Sequence, residues 1–532
     1  MKTDKYDQRI IDIAKRANEM RSALLEPVVD QNNGEFIGNR VEQDARLKDA
    51  AKGSVYENMG EGASTVLATH SKSLQRYCTD NGMPSDELLA SAHKSIENAM
   101  LITESEKQNR PGGIFESAEI STTEGILMRD RMVALILPVM LQSVTSRMVT
   151  FIPGDYNQSE MFRVRRVAGS NFGDLSKGDI IDYDYNSRYS VMDQRWQAPS
   201  GDGTKTGSTG EFQLDSATVF GTAYPFKHKS VKILHDHDIV AEDNGSGSIF
   251  GSFLVGETTV NVTGTVDYAT GTVSPVFSVA PASGIEIHIG FDVDIEKDPA
   301  LIPRVDHTME AETLYPHESA ISANTTLQAL WGLRREYNLN ADNMAMQAMR
   351  NLLSADKDRK ILRDLYFFAK GETEWNMTVP SGTYYHEHYE TVKEELLNID
   401  TYLIGQNGFS GLVGLVADPK ASAIFRSLKA PFFTPAPGYR KLAQPHYVGR
   451  LFGMWDLYED PAAEEYTALC FAKGSSHGEA GYVAGDAIPA LSFKHPTMTD
   501  LTYRSTLWDL GYRDLNPFYG RKCFTKLKIT TA

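Results

Sequence analysis

Cysteine is scarce in this chain: Cys78, Cys470 and Cys523 are the three in 532 residues, far apart and in no C-x-x-C pair. An odd, scattered set supports neither a disulfide framework nor a zinc ribbon and fits a reducing cytosol. Long apolar runs are missing as well. The longest, Met132 to Leu141 (MVALILPVML), is about half of what a bilayer span needs and contains Pro138, so it reads as a buried segment. The opening MKTDKYDQRI has charge but no apolar core, and no secretory signal is expected. The sequons at Asn261, Asn324 and Asn376 then carry little meaning. Basic charge is in deficit, 53 Lys and Arg against 70 Asp and Glu, a formal net charge of -17. Such a chain repels phosphate backbones and anionic membrane surfaces, which argues against a dedicated nucleic-acid binder. HExxH, GxGxxG and internal repeats are also lacking.

What is present is enough to fold. Hydrophobic residues at 41% and aromatics at 10% can fill substantial cores, and the length predicts about three to four structural units. Residues 1 to about 115 read as a polar, weakly packed, helical arm. Within it DELLASAHKSIENAMLI repeats Leu88, Leu89, Ala92, Ile96 and Met100 at helical spacing, an amphipathic helix in need of a partner. Residues 155 to 215 are polar and rich in glycine and aspartate, and predict an extended β-hairpin loop that docks on a neighbour. Residues 246 to 295 predict a small β insertion, because IEIHIGFDVDI alternates through Ile285, Ile287, Ile289, Phe291, Val293 and Ile295.

ESAISANTTLQALWGLRREY predicts a first, moderately patterned helix. ADNMAMQAMRNLLSADKDRKILRDLYFFA predicts a second of about thirty residues, roughly 40 Å long if continuous. Its apolar stripe rotates partway, from Ala345, Met349, Leu352 and Leu353 to Ile361, Leu362, Leu365 and Phe368, which predicts a bend or a change of packing partner. From about 400, GLVGLVADPKASAIFRSL reads as a buried strand, an Asp-Pro helix start and a helix, followed by strands in HYVGRLFGMWDLYEDP, EYTALCFAKG and AGYVAGDAIPALSF. The last residues, LTYRSTLWDLGYRDLNPFYGRKCFTKLKI, read as aromatic strands.

Chemistry-like motifs are few. GSSHG at 474 to 478 matches GxSxG with Ser476 in the nucleophile place, but a nucleophile elbow needs a helix next and EAGYVAGDAIP does not supply one. GDGTKTGSTG at 201 to 210 has phosphate-loop texture, but Lys205 follows Thr204 where a glycine is required. HDHD (His235 to Asp238) and HEH (His386 to His388) place like residues two apart without the three or four convergent ligands a metal needs, and read as solvated polar strand ends. No catalytic residue, metal ligand or cofactor site is assigned. Arg163, Arg165 and Arg166 cluster in RVRRV and are expected to pair with carboxylates, including those of another subunit.

Three stretches taken in order, TTLQALWGLRREYNLNADNMAMQAMRNLLSADKDRKILRDL, VGRLFGMWDLYEDP and CFAKGSSHGEAGYVAGDAIPAL, resemble the major capsid proteins of tailed bacteriophages, the Hong Kong 97-type fold. The likeness covers about residues 119 to 532. It implies an α+β fold with a peripheral domain carrying a long spine helix, an axial α/β domain and an extended loop, here with a small β insertion domain. The implied boundaries are a helical N-terminal arm or extension at 1–118, the first part of the peripheral domain at 119–154, the extended loop at 155–215 and peripheral strands at 216–245. The β insertion follows at 246–295, the rest of the peripheral domain with the spine at 296–399, the axial domain at 400–500 and C-terminal strands at 501–532.

The implied function is a structural protein of the virion, assembled in the host cytoplasm. It would self-associate into hexamers and pentamers of an icosahedral shell that encloses DNA without binding it specifically. Scaffold, portal and decoration proteins are the implied partners, and no membrane or cofactor. Glu116 or Glu124 would be cleavage positions for the extension, and Lys177 or Lys205 crosslinking lysines. Arg163, Arg165, Arg166, Lys177, His477 and Glu479 are the candidate contacts between subunits. The alternatives are a cellular compartment shell of the same fold and, from a different class, a hydrolase built on Ser476, His477 and Asp486.

Overall fold

Helical spacing of small and apolar residues sets the first elements of the computed structural model, which describes residues 2–30, 34–57, 59, 63–108, 133–141, 143–155, 157–182, 187–337, 341–437, 439–495 and 502–530. The possible cleavage positions Glu116 and Glu124 lie outside them. The chain divides into two compact units, one of Met1–Arg163 with Ala311–Ala532 and one of Val164–Glu310.

In the first unit, α1 (Lys2–Leu24), α2 (Arg40–Ala50), α3 (Ala63–Asn81) and α4 (Asp86–Gln108) turn their apolar stripes inward. Ala17, Met20, Leu24, Leu67, Leu74, Leu88, Leu89, Ala92 and Ile96 are buried. α1 and α4 are further joined by Arg16 Nη1 to Glu97 Oε2 at 2.6 Å and His93 Nε2 to Glu19 Oε2 at 3.0 Å. These residues share one core with Leu415, Phe425, Phe471 and Leu527 from the far end of the sequence. The expected weakly packed arm is therefore corrected: its stripe is a wall of the main core, each large side chain contributing about 1.5–3 kcal/mol by burial. After helical residues 133–141 come β1 (Val149–Phe151) and β2 (Ser159–Ala168).

The second unit is built from β3 (Asp193–Gln197), β4 (Leu214–Asp215), β5 (Lys232–His235), β6 (Asp238–Asp243), β7 (Ser248–Val255), β8 (Thr258–Asp267), β9 (Thr272–Phe277) and β10 (Ile287–Asp292). They form one sheet in the order β3-β10-β5-β6-β7-β8-β9-β4. β10 alternates buried and half-buried residues as expected. The expected boundaries at 155–215, 216–245 and 246–295 are redrawn, since most of the supposed loop, the strands and the insertion share one core. The loop's polarity concealed a few large side chains, Phe172, Tyr189, Phe212 and Leu214, which are buried with Ile233, Val262, Phe277 and Phe291. Gly207 permits this: its φ is +86°, and a Cβ there would sit 2.8 Å from the Phe212 ring.

The chain returns through β11 (Val305–Leu314), which pairs with β2, and β12 (His317–Thr326). The first expected helix is thus partly a strand: ESAISANTT is β12, and only Leu327–Tyr337 is helical, as α5. The β-branched and small residues of the first half suit the pleated edge of a sheet. The long helix α6 (Ala341–Phe368) is present at 28 residues. Its two stripes meet different partners, Met349 and Leu353 beside Leu507, and Ile361, Leu362 and Leu365 in the main core.

The remaining elements are β13 (Gly371–Asn376), α7 (Val392–Asn407), β14 (Gly414–Ala417), α8 (Pro419–Arg426), β15 (Phe433–Pro435), β16 (His446–Leu451), β17 (Trp455–Glu459), β18 (Thr467–Phe471), β19 (Tyr482–His495), β20 (Thr502–Leu515) and β21 (Phe524–Thr530). They make a seven-stranded sheet, β13-β21-β18-β14-β17-β16-β15, and a four-stranded one, β1-β19-β20-β12. α8 starts as its sequence predicts: Pro419 fills the first turn, and Asp418 accepts from Ala421 N at 2.8 Å and Lys420 N at 3.0 Å.

Candidate functional site

The GSSHG turn joins β18 to β19, with Lys473 and Ala480 bridged across its base. Because the next element is a strand, the nucleophile-elbow geometry is not formed. Ser476 lends its amide to Glu479 Oε2 at 3.0 Å. His477 Nδ1 lies 2.8 Å from Glu87 Oε1, which also accepts from Gly478 N at 3.2 Å. Glu87 Oε2 accepts from Thr150 Oγ1 at 2.7 Å and Phe151 N at 3.2 Å.

One buried carboxylate in the first turn of α4 thus ties the turn to β1. Burial pushes the Glu87 carboxyl up, but the His477 hydrogen bond and charge, then Lys473 and Thr150, outweigh it and leave it below the usual carboxylate range. Lys473 donates to Val149 O at 2.7 Å, and burial lowers its ammonium despite Glu87.

Asp486 belongs to a second buried cluster. Lys357 on α6 lies 3.1 Å from Asp486 Oδ1 and also pairs with Asp509, while Arg513 Nη2 is 2.9 Å from Asp509 Oδ2 and 3.4 Å from Asp486 Oδ1. Two cations balance two anions. Burial opposes the Asp486 carboxylate, but Lys357 and Arg513 hold its pKa below normal. Arg513 Nη1 reaches Ser319 on β12 at 3.1 Å, so the network joins α6, β12, β19 and β20. α4 is fastened to the same strand, since Ser95 Oγ donates to Asp486 O at 2.8 Å and Asn98 Nδ2 to Ala487 O at 2.7 Å. The structure therefore gives the three hydrolase candidates other partners or surroundings. His477 is committed to Glu87, Asp486 to cations, and Ser476 is on the exposed side of its turn.

Arg163 lies over the rings of Phe518 and Tyr519, at 4.6 and 4.9 Å. Arg165 and Arg166 find carboxylates in the same chain, Glu310 at 3.6 Å and Asp182 at 3.3 Å. Lys177 is exposed, its amide held by Asn171 Oδ1 at 2.7 Å. In GDGTKTGSTG the carboxylate of Asp202 already takes the amides of Thr204 and Lys205, at 2.8 and 2.9 Å, where a phosphate would sit. HEH lies on a short helix, Tyr385–Glu390, which corrects its reading as a strand end. Among the described residues no three His, Cys, Asp or Glu could together hold a metal ion. No described helix is long and apolar enough to cross a membrane.

Glu87, Lys357, Asp509 and Arg513 were not singled out from sequence. The one available signal was Glu87 in the acidic start of a helix, which predicts a terminus and says nothing of a partner 390 positions away.

Residues 1–143 match a family described as a domain of unknown function, DUF8615. Protein IncB of Escherichia coli is 31% identical over 174 residues, which are 31% of this chain and 83% of that protein. The chain belongs to the IncB family. Solved structures similar to the chain include an encapsulin and phage capsids. One is the holo-SrpI encapsulin complex from Synechococcus elongatus PCC 7942, at 9% identity over 44% of this chain and 79% of that one, with a TM-score of 0.30. Another is the capsid of Myoviridae phage XM1, at 8% identity over 60% and 93%, also with a TM-score of 0.30.

Proposed function

We propose that this is a shell-forming structural protein whose copies assemble, in the Hong Kong 97 manner, into hexamers and pentamers of a closed capsid around DNA. In this reading α6 is the spine of the peripheral domain, and the sheet containing β14 is the core of the axial domain. The observation that carries it is α5. This amphipathic helix of 11 residues has no buried residue among those described, and Leu327 and Trp331 are 41% and 68% exposed. A helix this short is marginal without a surface to cover its apolar stripe.

The neighbouring elements are open in the same way: Tyr315 before β12, and Met344, Leu352 and Phe367 along α6, are exposed. Exposed large apolar side chains on neighbouring elements are what an interaction surface would cover. A second copy suits it, because α5 ends in exposed Arg334 and Arg335 while each copy carries a net charge of -17. Arg163, Arg165, Arg166, Lys177, His477 and Glu479 remain candidate contacts of such an assembly. Scaffold, portal and decoration proteins would join it in the virion.

Electron microscopy and light scattering of the purified chain test the reading. Closed particles are expected, with nuclease-protected DNA when they are taken from cells. Trp331→Ser with Leu327→Ser should yield folded, dispersed subunits. A wild-type chain that stays monomeric under all assembly conditions refutes it.

A further inference from the structure

A cavity of about 920 Å³ opens among helical residues 133–141, α6, the loop before β16 and the middle of β19. Its walls are mostly apolar, with Ile136, Val139, Leu353, Leu442 and Pro489 among them, and polar at a smaller set of side chains. Small-molecule sites have this size and this mixture of apolar wall and few polar groups. Most of its charged groups are already occupied. Arg147 pairs with Asp456 at 2.5 Å, Lys357 with Asp486, and Asp358 accepts from Ser143 Oγ at 2.6 Å and Thr145 Oγ1 at 3.0 Å.

Two groups are left. Arg350 lines the cavity half-buried, and no acid or hydrogen-bond acceptor partners it among the described residues. Losing water without gaining an anion is costly for a guanidinium. His446 is 6% exposed, and its Nδ1 sits 3.0 Å from Gln444 O. With the proton on Nδ1 donated to that carbonyl, Nε2 is left as an acceptor, and this buried atom has no partner. An unpaired cation on the cavity, with an unpaired acceptor buried in its wall at His446, calls for a ligand with negative charge and a complementary donor.

We infer that this cavity is a binding site for a small organic anion, a carboxylate with an apolar body that also carries a hydroxyl or amide donor. Arg350 would take the carboxylate, a shift of the buried His446 ring would let Nε2 take the donor, and the apolar walls would cover the rest. The site does not rest on the shell reading, and a dispersed subunit has it as much as an assembled one.

N-acetylleucine is a suitable probe, titrated into the full-length chain by calorimetry with N-acetylleucinamide, which lacks the carboxylate, as the paired control. A probe of this size predicts a Kd on the order of 1 mM. Removing the carboxylate, or changing Arg350→Gln, should weaken binding about tenfold or more, and Arg350→Lys should restore part of it. His446→Phe should weaken the probe less, without altering its preference over the amide. Unchanged melting curves identify variants that fold. No saturable binding to the wild-type chain overturns the proposal, as does equal affinity for the acid and the amide. A further overturning result is Arg350→Gln disturbing particle assembly while probe binding stays intact, which assigns Arg350 to a carboxylate of a second copy.

Discussion

Replacing Glu87 by Gln tests whether the contact between α4 and the GSSHG turn stabilises the protein or is incidental. The wild-type carboxylate accepts four hydrogen bonds, from His477, Gly478, Thr150 and Phe151. A glutamine keeps one acceptor oxygen. If its amide group takes the Oε2 place, the Thr150 hydroxyl can turn to accept, but the Phe151 N–H then faces a second donor inside the protein. One stranded buried amide costs about 1–3 kcal/mol, and the remaining bonds lose their charge assistance, so the total is about 3 kcal/mol. The unit that contains the contact spans Met1–Arg163 and Ala311–Ala532. At about 2.1 cal/mol/K per residue its unfolding entropy is on the order of 0.8 kcal/mol/K, so Glu87→Gln should lower its melting temperature by about 4 °C at neutral pH.

The pH dependence gives an independent check. The folded Glu87 pKa lies below its unfolded value, so the stabilisation is complete above the unfolded value of 4.5 and is lost as pH falls through the folded one. The gap between wild type and variant should close over that acid range. Differential scanning calorimetry at several pH values measures both effects. A neutral-pH shift under about 1 °C, or a gap that widens in acid, refutes the reasoning.

Two further stability outcomes follow from buried charge. His70 lies between Tyr56 OH and Val133 O, each at 3.0 Å, and burial pushes it down to about 4. It stays neutral when folded while the unfolded chain takes a proton below about 6.5, so stability should fall by about 3 kcal/mol between pH 6.5 and 4. Urea midpoints of wild type and His70→Gln across that range should converge in acid. Lys357→Ala leaves Asp486 and Asp509 sharing Arg513 alone, and should cost about 3–5 kcal/mol, read from the same urea curves.

Much of the fold could be read from periodicity, and the exceptions have physical causes. The spine helix and its rotated stripe were legible because 28 residues sample the helical period many times, and the two packing partners follow from the rotation. The start of α8 was legible because an Asp-Pro cap is a local interaction, decided within four residues. The 155–215 stretch misled because its burial rests on a few aromatic side chains, each large enough to anchor a polar segment whose average composition suggests solvent. ESAISANTT misled because weak helical patterning and the pairing edge of a sheet look alike until the partner strand is known. The buried clusters around Glu87 and Asp486 were illegible for a stronger reason. A carboxylate has no periodicity, and its partner is fixed only when distant segments meet.

That distance sets an order of events in synthesis. Glu87 leaves the ribosome 390 residues before His477. At roughly 5–20 residues per second, the N-terminal helices wait about twenty to eighty seconds for the strands that cover them. During that interval the stripe of Leu88, Leu89, Ala92 and Ile96 has only its helical neighbours for shelter. A nascent chain of this protein should therefore be a client of chaperones until its last strands emerge.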